Sequence, residues 1–276
     1  MWIGDDAAAL AGGTLFATDI LVEGVHFDLA WASPQDVGWK AVAVNVSDLA
    51  AMGGTPRAAV AAVALPPKRH GLADALLEGL ADAAAQLGCP LVGGDTSQAA
   101  ELVVSVAVIG DAPPSGPVLR SGARPHDVLF VTGALGGAAV ALRALRSGDA
   151  PDAGAFERLR RPWPQVDAGR AAAAAGATAM IDISDGLASE LRHLCAESAV
   201  GVIVDEAGIP LGPGAGIEDA FGGGDEYELL FTAPDRVAVV DGFRAAGLPE
   251  PAAIGEVVPE GSGHVLPDIG WEHDVP

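Results

Sequence analysis

Five short runs hold the chemistry that this sequence offers: Asp5-Asp6, Thr18-Asp19, Ser47-Asp48, Gly94-Asp95-Thr96 and Asp182-Ile183-Ser184-Asp185-Gly186. Each sits beside Gly, Ser or Thr, where a strand ends and a loop or helix begins. One Asp in that setting is an ordinary cap or turn residue. The repeated setting is the signal, because surroundings such as AMIDISDGL place charged carboxylates near the end of a buried strand. Two carboxylates about 4 Å apart repel by roughly 4 kcal/mol at an effective dielectric near 20, so a cluster protonates or binds a cation. Oxygen donors from Asp, Ser and Thr suit magnesium and substrate phosphates better than they suit zinc. At 182–186 two carboxylates and a hydroxyl converge above a helix N-terminus, whose free N–H groups also favour an anion. The competing reading is that Ser184 or Asp185 only caps the helix expected over 185–196.

Other chemistries find less support. The run Thr132-Gly133-Ala134-Leu135-Gly136-Gly137 is neither a Rossmann fingerprint nor a P-loop. Lys40 and Lys68 are the only lysines, so arginine must meet any phosphate, and Arg120 is a candidate. Gly-x-Ser-x-Gly is absent, and helical spacing points His193 away from Cys195, so no side-chain nucleophile is expected.

The elements that must position these residues are legible as patterns. TLFATDILV at 14–22 reads as a strand carrying Thr18 and Asp19 near its end. Ser33 as N-cap, Pro34 at the first helical position and Asp36 three residues on open a helix that runs to Met52-Gly53-Gly54. Asn45, Asp48 and Met52 share one face of it. Strands are expected at 58–65, 90–93 and 101–110, with a helix at 70–87. The proline-rich stretch 111–117 marks a boundary between domains 1–112 and 113–276. Beyond it come strands at 127–132, 178–183, 200–205, 226–232 and 252–258, and helices at 136–147, 165–175, 185–196 and 234–246. Both halves are thus α/β or α+β.

Composition bounds the function classes. The chain has 276 residues, half of them hydrophobic, which excludes intrinsic disorder and leaves room for two domains. Its net charge of −22 repels phosphate backbones and anionic membranes, so neither nucleic acid nor membrane is an expected partner. A protein this acidic that handles phosphates must recruit cations. Two cysteines in no zinc-ligand spacing, no signal-peptide pattern at the start and no apolar stretch of membrane-spanning length predict a cytoplasmic protein.

Taken in order, Ile3-Gly4-Asp5-Asp6-Ala7-Ala8, the run from Thr18 to Phe27, Asn45-Val46-Ser47-Asp48-Leu49-Ala50-Ala51-Met52-Gly53, Gly93-Gly94-Asp95-Thr96 and Ile181-Asp182-Ile183-Ser184-Asp185-Gly186-Leu187 resemble the thiamine-monophosphate kinase family over nearly the whole chain. The first and fifth patterns recur across the wider aminoimidazole-ribonucleotide synthetase-like superfamily. The Asp19-to-Phe27 run and the Tyr227-to-Thr232 run are more specific to the kinase. The resemblance implies a two-domain fold whose N-terminal domains pair into a barrel in a homodimer, with a C-terminal α/β domain. It implies ATP-dependent phosphorylation of thiamine monophosphate, with several magnesium ions and potassium as a candidate further ion. Carried over by motif, Asp6, Thr18, Asp19, Asp48, Asp95, Asp182 and Asp185 would hold magnesium; Gly94, Asp95, Arg120 and Ser184 would contact ATP. His26, Asp225 and Trp271 would contact the substrate, the indole stacking on a cationic heterocycle.

The sequence departs from the family in three places. A short segment before Ile3 is missing, so some nucleotide or dimer contacts are expected to be lost or the start truncated. The family's G-G-E-D-Y-E-L stands here as Gly223-Gly224-Asp225-Glu226-Tyr227-Glu228-Leu229, with the acids exchanged. Ser97-Gln98 stand where a basic residue is expected. The implied acceptor is a phosphate monoester with a second pKa of about 6, already mostly dianionic at neutral pH, so no strong general base is needed. Direct in-line transfer without a phosphoenzyme follows. The alternatives are another ATP-dependent enzyme of the superfamily and a non-catalytic nucleotide- or metal-binding module. Selenophosphate synthetase would bring a reactive Cys near the N-terminus, and none is present.

Overall fold

The structure is a computed structural model that describes residues 4–67, 69 and 71–270. It opens with a hairpin, β1 (Ala8–Leu10) and β2 (Thr14–Val22), joined through Gly12 and Gly13, both at positive φ. Then come α1 (Pro34–Ala51), β3 (Thr55–Leu65), α2 (Leu72–Gln86), β4 (Leu91–Gln98) and β5 (Val103–Asp111). The strands form one sheet in the order β1-β2-β5-β3-β4, with α2 the crossover between the parallel pair β3 and β4.

Helix α1 starts where local chemistry places it. The N–H of Asp36 donates to the Ser33 hydroxyl at 3.2 Å, and the Asp36 carboxylate accepts from the Ser33 N–H at 3.1 Å. One face of α1 packs on β2 and β5 through Val42, Val46 and Leu49, against Leu15, Val104 and Val106. Its end, Ala50 and Ala51, belongs to the core of the second half. A helix buried on nearly every side stands at the centre of the molecule, and α1 does. Helix α2 crosses it very closely, since a Cβ on Gly79 would lie 2.0 Å from the Gln35 carbonyl oxygen.

The second half contains β6 (Val128–Val131), α3 (Gly137–Ser147), α4 (Ala153–Arg160), α5 (Val166–Ala174), β7 (Ala179–Asp182), α6 (Leu187–Ser198), β8 (Val200–Val204), α7 (Ile217–Gly222), β9 (Leu229–Ala233), α8 (Arg236–Ala245) and β10 (Ala252–Pro259). Its sheet has the order β7-β9-β6-β10-β8 with every pair antiparallel. Alternate residues feed two cores: Leu129, Val131, Ile181 and Leu230 face α6, whereas Phe130, Met180, Leu229 and Phe231 face α5, α8 and the end of α1. Trp39 of α1 ties the halves together, its Nε1–H donating to the Pro162 carbonyl at 2.9 Å. Among the described residues no helix is long and apolar enough to cross a membrane.

Three expectations differ in detail. β4 continues through Gly93-Gly94-Asp95 instead of ending there, because parallel pairing with β3 holds it extended; a Cβ at Gly94 would meet the Ala61 oxygen at 2.1 Å. The strand expected from 226 begins only at Leu229, because Asp225 and Tyr227 have φ of 64° and 53° in the left-handed region. Helix α6 begins at Leu187, behind Gly186 at φ 110°. Helices α4 and α7 and strand β1, too short for a periodic signal, were not anticipated.

Candidate active site

Asp6 lies ahead of β1, Asp48 on α1 and Asp182 at the end of β7, yet they offer carboxylate oxygens all within 4.8 Å of one another. Each arrives by a different route. Asp48 sits one turn beyond Asn45, whose side-chain oxygen accepts the Asp19 N–H at 2.9 Å and so draws β2 against α1. Asp182 is held by the Ser47 hydroxyl at 2.5 Å. Asp6 is gripped by Arg120, with Nη2 to Oδ1 at 2.9 Å and Nε to Oδ2 at 3.3 Å, while the Arg120 N–H donates to Asp5 at 2.8 Å.

Charge in this cluster is poorly compensated. Burial, then repulsion from Asp182, Asp19 and Asp6, pushes the Asp48 carboxyl well above the usual range. Burial, then Asp6, does the same to Asp182, and burial raises Asp6 even beside Arg120. Hard oxygen donors that repel one another and face one fixed guanidinium fit a divalent cation.

These residues line one end of a cleft of about 1220 Å³ between the halves, together with Thr18, Asp19, Arg120, Ser184 and Asp185. The Thr18 hydroxyl donates to the Val106 carbonyl at 3.0 Å. Helix α6 has Gly186 as its N-cap, so Ser184 and Asp185 both lie ahead of its first turn. The Asp185 N–H donates to Glu190 at 2.9 Å, and burial pushes the Glu190 carboxyl up to about 8. Glu190 was not singled out in the sequence, where it reads as an ordinary helical Glu.

Elsewhere in the cleft stand His26, Lys40, Asp225 and Tyr227. Lys40 is buried on α1 and its ammonium lies 2.8 Å from Asp225; the Tyr227 hydroxyl donates to the same carboxylate at 3.1 Å. His26 Nδ1 accepts the Val22 N–H at 3.0 Å. The exchanged acids separate: Asp225 faces the cleft, whereas buried Glu226 accepts the Ala138 N–H at 3.1 Å at the start of α3. Lys40 was also missed as a site residue, since one Lys on a helix carries no sequence signal.

Gly94 and Asp95 are not brought to this cleft by the single chain. They lie exposed on the edge strand β4, where Asp95 accepts the N–H of Thr96 at 2.9 Å. Trp271 falls outside the described residues, and Gly270, the residue before it, lines the cleft.

Comparison with known proteins follows this geometry. Residues 4–112 match the family described as AIR synthase related protein, N-terminal domain, and residues 124–266 match its C-terminal domain. The thiamine-monophosphate kinase of Bacillus subtilis strain 168 is 38% identical over 252 residues, covering 85% of this chain and 78% of the relative. That of Halobacterium salinarum is 36% identical over 282 residues, covering 98% and 94%. A solved structure described as AaThiL complexed with AMPPCP and TMP has a TM-score of 0.88 at 32% identity, covering 99% of this chain and 92% of the other.

Proposed function

The chain belongs to the thiamine-monophosphate kinase family, and we propose that it transfers the γ-phosphoryl group of ATP directly to the phosphate of thiamine monophosphate, giving thiamine diphosphate and ADP. The convergence of Asp6, Asp48 and Asp182 from both halves on one cleft carries this reading. Asp6, Asp48 and Asp182 would hold magnesium, with Thr18, Asp19 and Asp185 beside them and Asp95 from β4. Bound magnesium supplies charge neutralisation between donor and acceptor phosphates and aligns them for in-line transfer.

The chain's own residues orient and bind. Ser184 and Arg120 lie at the acidic end of the cleft and suit a nucleotide polyphosphate, with Arg120 already fixed by Asp6. His26 and Asp225 suit the acceptor, with Trp271 following Gly270 in sequence. Neither cysteine is set up as a covalent carrier: burial pushes both the Cys89 and Cys195 thiols up to about 11, which keeps them protonated. An acceptor phosphate with a second pKa of about 6 is its own nucleophile.

A homodimer fits the first sheet. Phe16, Ile20 and Val60 are 41%, 53% and 44% exposed on β2 and β3, an apolar surface on the sheet face away from α1. Pairing two such faces into a barrel buries it, and a second copy is the source proposed for bringing Gly94 and Asp95 to a cleft. Division into domains 1–112 and 113–276 and a cytoplasmic location, where the free thiols stay reduced, complete the reading.

The test is incubation with magnesium-ATP and thiamine monophosphate, followed by detection of thiamine diphosphate. ADP release with another acceptor alone would move the chain to a different activity of the superfamily, and tight ATP binding without turnover would make it a binding module. Covalent label retained on the protein from γ-labelled ATP would overturn direct transfer.

A further inference from the structure

The last described stretch of chain crosses α6 and ends at the cleft. His264 anchors its beginning: the N–H of His264 donates to the Val202 carbonyl at 2.8 Å, and its Nδ1 accepts the Val204 N–H at 3.2 Å. Arg192, on α6, grips its end. The guanidinium donates to the Pro267 carbonyl and, at 3.2 and 3.3 Å, to that of Ile269. A planar fork of donors spans two carbonyls two residues apart, which a single ammonium does not.

What this grip holds lies against the cleft. A Cβ at Gly222 would meet the Ile269 side chain at 3.3 Å, and Gly222 opens the glycine turn that leads to Asp225. Gly270 lines the cleft at φ 138°, and a Cβ there would lie 3.0 Å from the Asp185 carbonyl oxygen and 3.2 Å from Ser189 Cβ. Leu266 packs against the second core, but beyond it the segment adds little, since Ile269 stays 41% exposed. Tight fit at the cleft wall combined with slight burial points to positioning.

We propose that Arg192 is a positioning residue for the acceptor, strapping residues 267–270 onto α6 so that they form the cleft wall beside Asp185 and the glycine turn preceding Asp225. This rests on the kinase reading above. The strap packs on Gly222 of the turn that leads to Asp225, so its expected effect is greater on thiamine monophosphate than on ATP.

The experiment compares wild type, Arg192→Ala, Arg192→Lys, Gly270→Ala and a chain ending at Leu266. Arg192→Ala raises KM for thiamine monophosphate by about tenfold with a much smaller change in KM for ATP and the melting temperature unchanged, and Arg192→Lys recovers only part of the loss. Gly270→Ala, which pushes the strap off Asp185 with Arg192 intact, gives the same signature. In the shortened chain, which also lacks Trp271, Arg192→Ala has no further effect, because its partners at Pro267 and Ile269 are already gone. An unchanged KM in Arg192→Ala, an equal rise in KM for ATP, or an additive loss in the shortened chain would overturn the proposal. Calorimetric binding of thiamine monophosphate, which needs no turnover, separates the two readings. If the wild type binds but does not phosphorylate, the kinase reading falls and the tenfold loss of binding still tests the strap; if the wild type does not bind, both fall.

Discussion

The hydroxyl of Ser47 lies 2.5 Å from a carboxylate oxygen of Asp182, although 135 residues separate them. Ser47 belongs to the helix packed on the first sheet and Asp182 closes a strand of the second, so this contact joins the halves at the point where the acidic residues meet. Its neighbours Asp48 and Asp6 share the surplus of charge, which ties the site's occupancy to the stability of the whole chain.

Asp182→Asn is expected to lower kcat by about 100-fold or more while leaving the metal-free protein as stable as wild type or more so. The carboxyl is already pushed toward its protonated form by burial and by Asp6, so a neutral amide relieves repulsion and still accepts from Ser47. Steady-state kinetics beside thermal melting without metal check both halves of this statement; normal turnover in Asp182→Asn would reject the site.

Magnesium should raise the melting temperature of wild type, and the gain should be larger at pH 8 than at pH 6. Asp48, Asp182 and Asp6 all have raised pKa values, so protons compete with the cation at the lower pH. At 100 times the dissociation constant the stabilisation is about 2.7 kcal/mol. Chelation should abolish both the shift and turnover, and Asp182→Asn should show a much smaller shift.

Asp225→Ala leaves the Lys40 ammonium buried without its 2.8 Å partner, and a destabilisation of ~3 kcal/mol is expected from urea unfolding. Asp225→Glu keeps the charge and should fold normally. Its additional methylene should alter KM for thiamine monophosphate more than KM for ATP.

Glu226→Gln tests a buried carboxylate outside the proposed metal cluster. Burial pushes Glu226 up to about 7, and its Oε2 has no hydrogen-bond partner among the described residues. The folded state therefore holds a proton that the unfolded chain releases near 4.5, so stability falls as pH rises from about 4.5 through 7. Wild type and Glu226→Gln should melt alike at pH 5, and the variant should be more stable at pH 8, by ~2 kcal/mol. Equal melting at both values would reject the assignment.

Val60→Glu and Phe16→Asp place charges on the exposed sheet face without touching the cores or the cleft. Sedimentation should show monomers in both cases, with activity lost and secondary structure retained. A wild-type chain that sediments as a monomer at micromolar concentration and is fully active would remove the dimer.

Much of the framework is legible because its signals are local. Ser33, Pro34 and Asp36 announce α1 and Gly53 ends it, and alternation in 14–22 marks β2, so neither depends on distant contacts. The 226–228 stretch misleads because Tyr227 and the apolar run that starts at Leu229 read as one strand, while the backbone at Asp225 and Tyr227 is held left-handed by bonds to Ser184 and Ile183. Glu190 and Lys40 are silent in the sequence for a related reason: a lone charge on a helix becomes informative only once its burial and partner are known.

The sequence by itself determined which runs carry the carboxylates, the cap and extent of α1, and the family to which these patterns belong. Only the tertiary structure decided that Asp6, Asp48 and Asp182 share one site, that Arg120 is committed to Asp6, that Asp225 and not Glu226 faces the cleft, and that Asp95 stays away from it in a single chain. The physical reason is range. Caps, turns and periodicity are set by neighbours a few residues apart, whereas a shared cation site depends on how two sheets pack about one buried helix.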